Sequence, residues 1–427
     1  MKRISFLVLN LIIGLFLSNA QTGSWSGDLE VRGMKLPLVF HLDEENPTVD
    51  SPAQGAKGIP IQFTREEGRI TISVPMINAS YEGNFEDNKI TGTFKQNGLT
   101  LPLTLYPGEE KTKRPQTPQP PFPYSEEEVS FSNGDAVLKG TLTLPKNFTA
   151  DTPVVLMVTG SGLQNRDEEI FEHKPFAVIS DALARNGIAS LRYDDRGFGE
   201  STGDAVNCTT DDLKEDALSG INLLRQRFNK VGVLGHSEGG TIAIMLAADD
   251  KADFIVSLAG MVVSGKETLI QQNHLALTEA GYPEKTVKDY CDLLALVFDN
   301  DESVSQQLNN SDLPLPLKNN LQIVIEQIKS PYMQYFLSLD MRNRLGEISC
   351  PVLAFNGSKD TQVSCKENLE ALSNGLSNNS LNAIKCFDGL NHLFQHCNTG
   401  SITEYATIEE TISPEVLVGI SEWIKAL

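Results

Sequence analysis

The 427-residue sequence predicts an α/β protein: a mostly parallel central sheet with helices on both faces, preceded by a small all-β barrel or sandwich domain. Three observations predict this. Residues 21–106 alternate apolar and polar positions with a period of two. Residues 107–124 are rich in proline. Beyond them, short continuous apolar runs alternate with stretches of helical period, the pattern of strands buried on both faces.

The first twenty residues are expected to be a secretory signal peptide. Lys2 and Arg3 form a short basic start, Phe6 to Leu17 an apolar run, and Ser18-Asn19-Ala20 a small-residue cleavage site before Gln21. The mature chain is therefore expected to be exported, periplasmic or extracellular. The residue directly after the cleavage point is Gln21 and not cysteine, and no later segment has the length and apolarity of a transmembrane helix, so no membrane anchor is expected. The net charge is −21, and losing Lys2 and Arg3 makes it −23. Nucleic acid and anionic membranes both attract basic patches, so neither is an expected partner. The sequence sets no oligomeric state.

In the all-β segment, Leu36, Leu38, Phe40 and Leu42 alternate with other residues. So do Ile59, Ile61 and Phe63; Ile70, Ile72 and Val74; Ile90 and Phe94; and Leu99 to Leu105. Each set gives a strand one buried face. Gly68, Asn78, Gly83 and Asn97-Gly98 punctuate the runs. No catalytic grouping is visible here. Prolines at 107, 115, 118, 120, 121 and 123 then predict a semi-rigid extended linker over 107–124.

The α/β domain, 125–427, opens with a hairpin turning at Asn133-Gly134. Strands are predicted at Val154–Val158, Ala189–Tyr193, Val231–Leu234, Phe254–Leu258, Val352–Phe355 and Leu381–Cys386. A helix is predicted from Asp212 to Phe228, because Leu213, Ala217, Ile221, Leu224 and Phe228 share one face. The alternation breaks between Val262 and Leu345. That stretch is helical by pattern, with Val287, Cys291, Leu294 and Phe298 on one face, and is expected to be a cap over the active site.

Gly235-His236-Ser237-Glu238-Gly239-Gly240 follows one predicted strand and precedes a helix. G-x-S-x-G in that context is a nucleophile elbow: a strained turn exposes the serine hydroxyl, and the glycines let strand and helix approach. A serine hydroxyl is a weak nucleophile and needs a base held by an acid. Of six histidines, His41 lies in the β domain, His173 in an early loop and His274 in the cap, while His236 should point away into structural contacts. His392, in the loop after the last strand, is the candidate base. His396 is read as a surface residue or a support for it, and no carboxylate pattern makes the two a metal site. Asp360 ends the strand-and-turn Val352–Lys359 and is the candidate acid, with Asp388 in reserve. The oxyanion hole needs two backbone N–H donors. Glu238 supplies one, and the turn Thr159-Gly160-Ser161-Gly162 the other, at Ser161 or, alternatively, Gly162. The Glu238 side chain is expected to shape the pocket or reach a loop residue such as Arg166.

Asp194 to Ser201 has neither G-x-x-x-x-G-K nor G-x-G-x-x-G and is read as a structural turn, with Asp195 and Arg196 paired near the nucleophile turn. Six cysteines in an exported chain are compatible with disulfides. Cys350/Cys365 and Cys386/Cys397 are the expected staples if the thiols are not free.

Together these segments resemble the α/β-hydrolase superfamily, and more narrowly bacterial exported serine esterases with a small N-terminal β domain. The resemblance rests on Thr159-Gly160-Ser161-Gly162 with Asn165-Arg166-Asp167-Glu168, Asp195 to Ser201, Gly235 to Gly240, Asn356 to Asp360, and Gly389-Leu390-Asn391-His392, in that order. The family commonly has His-Gly where this chain has Thr159-Gly160. The resemblance implies the α/β-hydrolase fold with a helical cap, a triad of Ser237, Asp360 and His392, and no cofactor. It also implies a small-molecule or glycan-linked ester substrate with a short acyl group, such as acetyl or cinnamoyl. The alternative is a serine peptidase of the aminopeptidase or dipeptidyl-peptidase kind on the same fold.

Overall fold

The computed structural model describes residues 23–31, 34–43, 45–54, 56–66, 68–86, 88–108 and 112–427. The expected signal peptide and residues 109–111 of the proline-rich stretch lie outside them. The chain divides into two compact units: the described residues up to Lys113 with Ile402–Glu409, and Arg114–Ser401 with Glu410–Leu427.

The first unit has nine strands: β1 (Ser24–Val31), β2 (Met34–His41), β3 (Thr48–Ser51), β4 (Ala56–Pro60), β5 (Gln62–Glu66), β6 (Arg69–Val74), β7 (Ala79–Glu86), β8 (Lys89–Gln96) and β9 (Leu99–Pro107). They pair antiparallel in the order β4-β3-β2-β1-β9-β8-β7-β6-β5. One buried cluster takes Trp25 from β1, Phe40 from β2, Val49 from β3, Ile70 and Ile72 from β6, Tyr81 from β7, Ile90 from β8 and Leu105 from β9. A single sheet that packs so many strands onto one core must curl, and the unit is a nearly closed barrel. Gly92 makes room for the buried Tyr81 side chain: a Cβ there would come 2.7 Å from its ring.

In the second unit the hairpin β10 (Ser125–Asn133) and β11 (Ala136–Leu144) leads into β12 (Val154–Val158), α1 (Pro175–Arg185), β13 (Ala189–Tyr193), α2 (Thr210–Leu224), β14 (Val231–His236), α3 (Glu238–Ala248) and β15 (Ile255–Leu258). Five helices follow: α4 (Gly265–Glu279), α5 (Glu284–Phe298), α6 (Val304–Asn310), α7 (Leu315–Gln327) and α8 (Pro331–Ser338). The chain returns through β16 (Val352–Gly357), α9 (Cys365–Gly375), β17 (Ala383–Phe387) and α10 (Pro414–Ala426). The sheet order is β10-β11-β13-β12-β14-β15-β16-β17, parallel from β13 to β17. Successive residues of β12 feed opposite cores. Val154, Leu156 and Val158 pack with Ala217 and Ile221 of α2 and Ile242 of α3. Val155 and Met157 pack with Phe176 and Ile179 of α1 and Val416 and Ile420 of α10. Burial on both faces is why the strand reads as unbroken apolar sequence. This is the expected α/β-hydrolase fold with a helical insertion. The insertion has its own core, in which Val287, Cys291, Leu294 and Phe298 are all buried.

Two expectations change. The later part of the proline-rich stretch is not a bare spacer: the Gln116 amide donates to the Ile412 carbonyl (2.7 Å) and accepts from Thr411 N–H (2.6 Å), and Tyr124 donates to Asp181. The disulfide is Cys365–Cys386, so neither expected staple forms. Strand pairing brings Cys386 of β17 beside Asn356 of β16, and the turn after β16 returns the chain to Cys365 at the start of α9.

Candidate active site

Ser237 sits between β14 and α3 at φ 53°, ψ −119°. A side chain at positive φ costs roughly 1–3 kcal/mol and persists only where the surroundings hold it. Here the Ser237 N–H donates to the Leu258 carbonyl (2.8 Å), and its carbonyl accepts from Thr241 N–H (3.2 Å). The flanking glycine is a steric requirement: a Cβ on Gly239 would lie 2.0 Å from the Val158 carbonyl oxygen.

Asp360 and His392 meet in the loops beyond β16 and β17. His392 Nδ1 lies 2.8 Å from Asp360 Oδ2, with both side chains buried. Asp360 Oδ1 accepts from Gln362 N–H (2.8 Å) and Val363 N–H (2.9 Å), so backbone donors aim its other oxygen at the imidazole. The His392 loop is locked by polar bonds. Asn391 Oδ1 accepts from Leu393 and Gln395 N–H, its amide donates to Gln395 Oε1, and Gln395 reaches His173. The His236 ring, adjoining Ser237 in the chain, lies 4.7 Å from the His392 ring. Among the described residues the Ser237 hydroxyl makes no hydrogen bond to His392. Such bonds commonly tighten only with substrate in place.

Of the two oxyanion candidates, Glu238 is the first residue of α3, where a backbone N–H has no intrahelical acceptor. Ser161 is exposed on the turn after β12. Gly160, beside it, packs close to the Ser237 Cβ. The cap reaches this point too. Tyr332 of α8 donates to Glu238 Oε2 (2.7 Å), and Thr210 donates to Oε1 (2.6 Å). Burial, together with Glu238, pushes the Tyr332 phenol well above its ordinary range, although the Ser161 hydroxyl bonded to it works the other way.

Other expectations resolve as follows. Glu238 does not contact Arg166, which instead binds Asp194, Glu128 and Glu200. Asp195 and Arg196 are not paired with each other. Asp195 accepts from Thr159 Oγ1 and Gln164 N–H, while Arg196 forms a buried pair with Asp216. Asp388 accepts from Ser358 Oγ and does not touch His392. His396 is exposed and pairs with Glu410. His236 points into structural contacts, with Glu168 on one side and the His392 carbonyl on the other. Sequence reasoning gave no role to Glu168 or Tyr332. The first lies in a segment that carries the resemblance, and the second has no local signal.

A family model described as serine aminopeptidase, S33, matches residues 173–396. The chain belongs to that family. The matched segment begins at the buried His173 and takes in Ser237, Asp360 and His392. Esterase EstD of Thermotoga maritima is 28% identical over 280 residues, 64% of this chain and 61% of that protein, so the chain spans about three fifths of its relative. Among solved structures, Est1E from Butyrivibrio proteoclasticus with ferulic acid bound gives a TM-score of 0.45 at 17% identity, over 70% of this chain and 98% of that one. An esterase of Pyrococcus furiosus gives 0.42 at 15% identity, over 71% and 93%. A proline iminopeptidase of Mycobacterium smegmatis gives 0.45 at 14% identity, over 70% and 98%. As a member of the family, this chain is an α/β hydrolase.

Proposed function

We propose that this hydrolase cleaves carboxylic esters with short acyl groups through Ser237, His392 and Asp360. The observation that carries the reading is the buried Asp360–His392 pair brought beside the strained turn that presents Ser237. Asp360 accepts a hydrogen bond from Nδ1–H of His392, which leaves Nε2 unprotonated to take the Ser237 proton. The serine oxygen then attacks the acyl carbonyl, and the developing oxyanion is met by the N–H groups of Glu238 and Ser161. His392 returns the proton to the leaving alkoxide. Water, deprotonated by the same imidazole, releases the acid and restores the serine. No cofactor enters these steps. The likeness to an esterase supports the ester, and small or glycan-linked esters fit an exported enzyme, which we propose this is.

The family's description favours a second reading, an aminopeptidase. Such an enzyme needs an acid with a free oxygen for the substrate amine. Glu238, the acid beside Ser237, has one bond on each oxygen, from Thr210 and Tyr332, whereas Glu168, the acid paired with His236, keeps Oε2 buried without a hydrogen-bond partner among the described residues, so the anilide assay below decides between the two readings. The test compares wild type with Ser237→Ala on p-nitrophenyl acetate and longer esters, and on aminoacyl p-nitroanilides. Ester turnover that falls with chain length and is lost in the variant is expected. Anilide turnover above ester turnover would establish the peptidase, and unchanged activity in Ser237→Ala would remove the nucleophile assignment.

A further inference from the structure

Beneath the proposed triad lies a second acid–imidazole pair that no step of the reaction uses. Glu168, on the loop after β12, and His236, the last residue of β14, are both buried. Glu168 Oε1 lies 2.9 Å from His236 Nδ1 and accepts from Gly160 N–H at 2.7 Å. His236 Nε2 lies 3.0 Å from the His392 carbonyl oxygen.

The protons on this chain of bonds can be counted. A carbonyl offers only lone pairs, so Nε2 of His236 must carry a proton. Nδ1 faces a carboxyl oxygen, and one proton must lie between them. It sits either on the ring, giving imidazolium and carboxylate, or on Oε1, giving imidazole and carboxylic acid. An imidazole is intrinsically the stronger base by roughly two pH units. The Gly160 N–H on the same oxygen further favours the carboxylate. We infer that His236 is a permanent imidazolium ion-paired to Glu168, and that this pair positions the catalytic base, holding His392 by its main-chain carbonyl and the oxyanion turn by Gly160 N–H.

The surroundings agree. Burial opposes charge on His236, yet Glu168, the His392 carbonyl and the Asp360 carboxylate outweigh it, and its pKa is raised. The other titratable groups facing the pair are the His392 ring and, on the Glu168 side, the Asp195 carboxyl. Three loops that must keep register, those after β12, β14 and β17, are thus joined at one pair.

The inference rests on the triad reading for its kinetic arm only. The structural arm is the ring N–H spectrum of the full chain labelled with ¹⁵N-histidine at about pH 8, where an ordinary imidazole is neutral. One ring with both nitrogens protonated is expected in wild type, absent from Glu168→Gln and His236→Gln. Only singly protonated rings in wild type would overturn the inference, and that measurement needs no variant to fold. In the kinetic arm, Glu168→Gln on p-nitrophenyl acetate is expected to lose roughly 10–100-fold in kcat with KM changed by less than about threefold. A lowered Tm with kcat within about threefold of wild type would show a structural role and overturn the positioning role. An inactive wild type would refute the proposed function and leave the spectrum to decide the pair.

Discussion

Replacing Asp360 by asparagine removes a charge and keeps the shape, so its consequence can be worked from the bonds. Oδ1 is held by the N–H groups of Gln362 and Val363, and both are donors. An asparagine must keep its carbonyl oxygen there, which turns its NH₂ toward His392 Nδ1. Two donors cannot meet, so His392 must take the tautomer with the proton on Nε2, where it cannot accept the serine proton. The variant also loses the attraction between carboxylate and the imidazolium that forms in the transition state. At about 4 Å and an effective dielectric of about 20 that attraction is worth about 4 kcal/mol, close to a thousandfold. With the tautomer effect, kcat is expected to fall by roughly 10³–10⁴. The assay is steady-state p-nitrophenyl acetate hydrolysis, with urea unfolding to show that the variant folds. A folded Asp360→Asn protein within about tenfold of wild-type kcat would refute the reasoning. It would reopen the role for Asp388, now bound to Ser358.

Three further outcomes follow from the packing. Gly239→Ala would set a Cβ 2.0 Å from the Val158 carbonyl oxygen and 2.5 Å from that of Thr159, forcing α3 off β12. A loss of more than about 3 kcal/mol is expected, and an unchanged urea midpoint would contradict it. Burial pushes the Asp195 carboxyl up to about 7, aided by Glu168 and Glu238 and opposed by the Gln164 N–H and Thr159 hydroxyl bonds. The folded chain holds that proton more tightly than the unfolded one, so its stabilisation is full below about pH 4 and is lost as pH rises through 7. Asp195→Asn should therefore shrink the wild-type stability drop between about pH 5 and pH 8 by ~1–3 kcal/mol, and equal slopes in urea titrations would speak against this. Removing the Cys365–Cys386 bridge, whose residues lie 21 apart in sequence, should cost ~3 kcal/mol and lower Tm by about 5 °C or more; an unmoved Tm in the double serine variant would count against it.

What could be read from the sequence follows from how local each signal is. The strands of the parallel sheet are buried on both faces and announce themselves as apolar runs. In the barrel, β6 buries every second residue and was legible. Strand β7 was not, because its inward positions are Ala79, Tyr81 and Gly83, one large side chain flanked by residues too small to mark a period. Ser237, Asp360 and His392 each stand where a short motif puts a side chain at a strand's end. Their supports do not. Glu168 reaches His236 across 68 positions, and Tyr332 reaches Glu238 across 94. No periodicity or spacing encodes such contacts. The cysteines failed for the same reason: nearness in sequence favoured Cys386/Cys397, while strand pairing carries Cys386 to β16 and so to Cys365.

The carboxylates around Ser237 bear on its chemistry as a group. Asp195, Glu168, Glu238 and Asp360 are all buried near the turns that flank the nucleophile. An uncommitted acid in that position would attract a substrate amine and favour peptide N-termini. Asp195 is engaged by Thr159 and Gln164, Glu238 by Thr210 and Tyr332, and Asp360 by His392 and two backbone N–H groups, while Glu168 gives Oε1 to Gly160 and His236 and, among the described residues, keeps Oε2 buried without a hydrogen-bond partner. They hold loops in register, and of the four only Asp360 bonds the imidazole proposed to move protons. A neutral ester asks nothing more of such a site than a nucleophile, a base and two N–H donors.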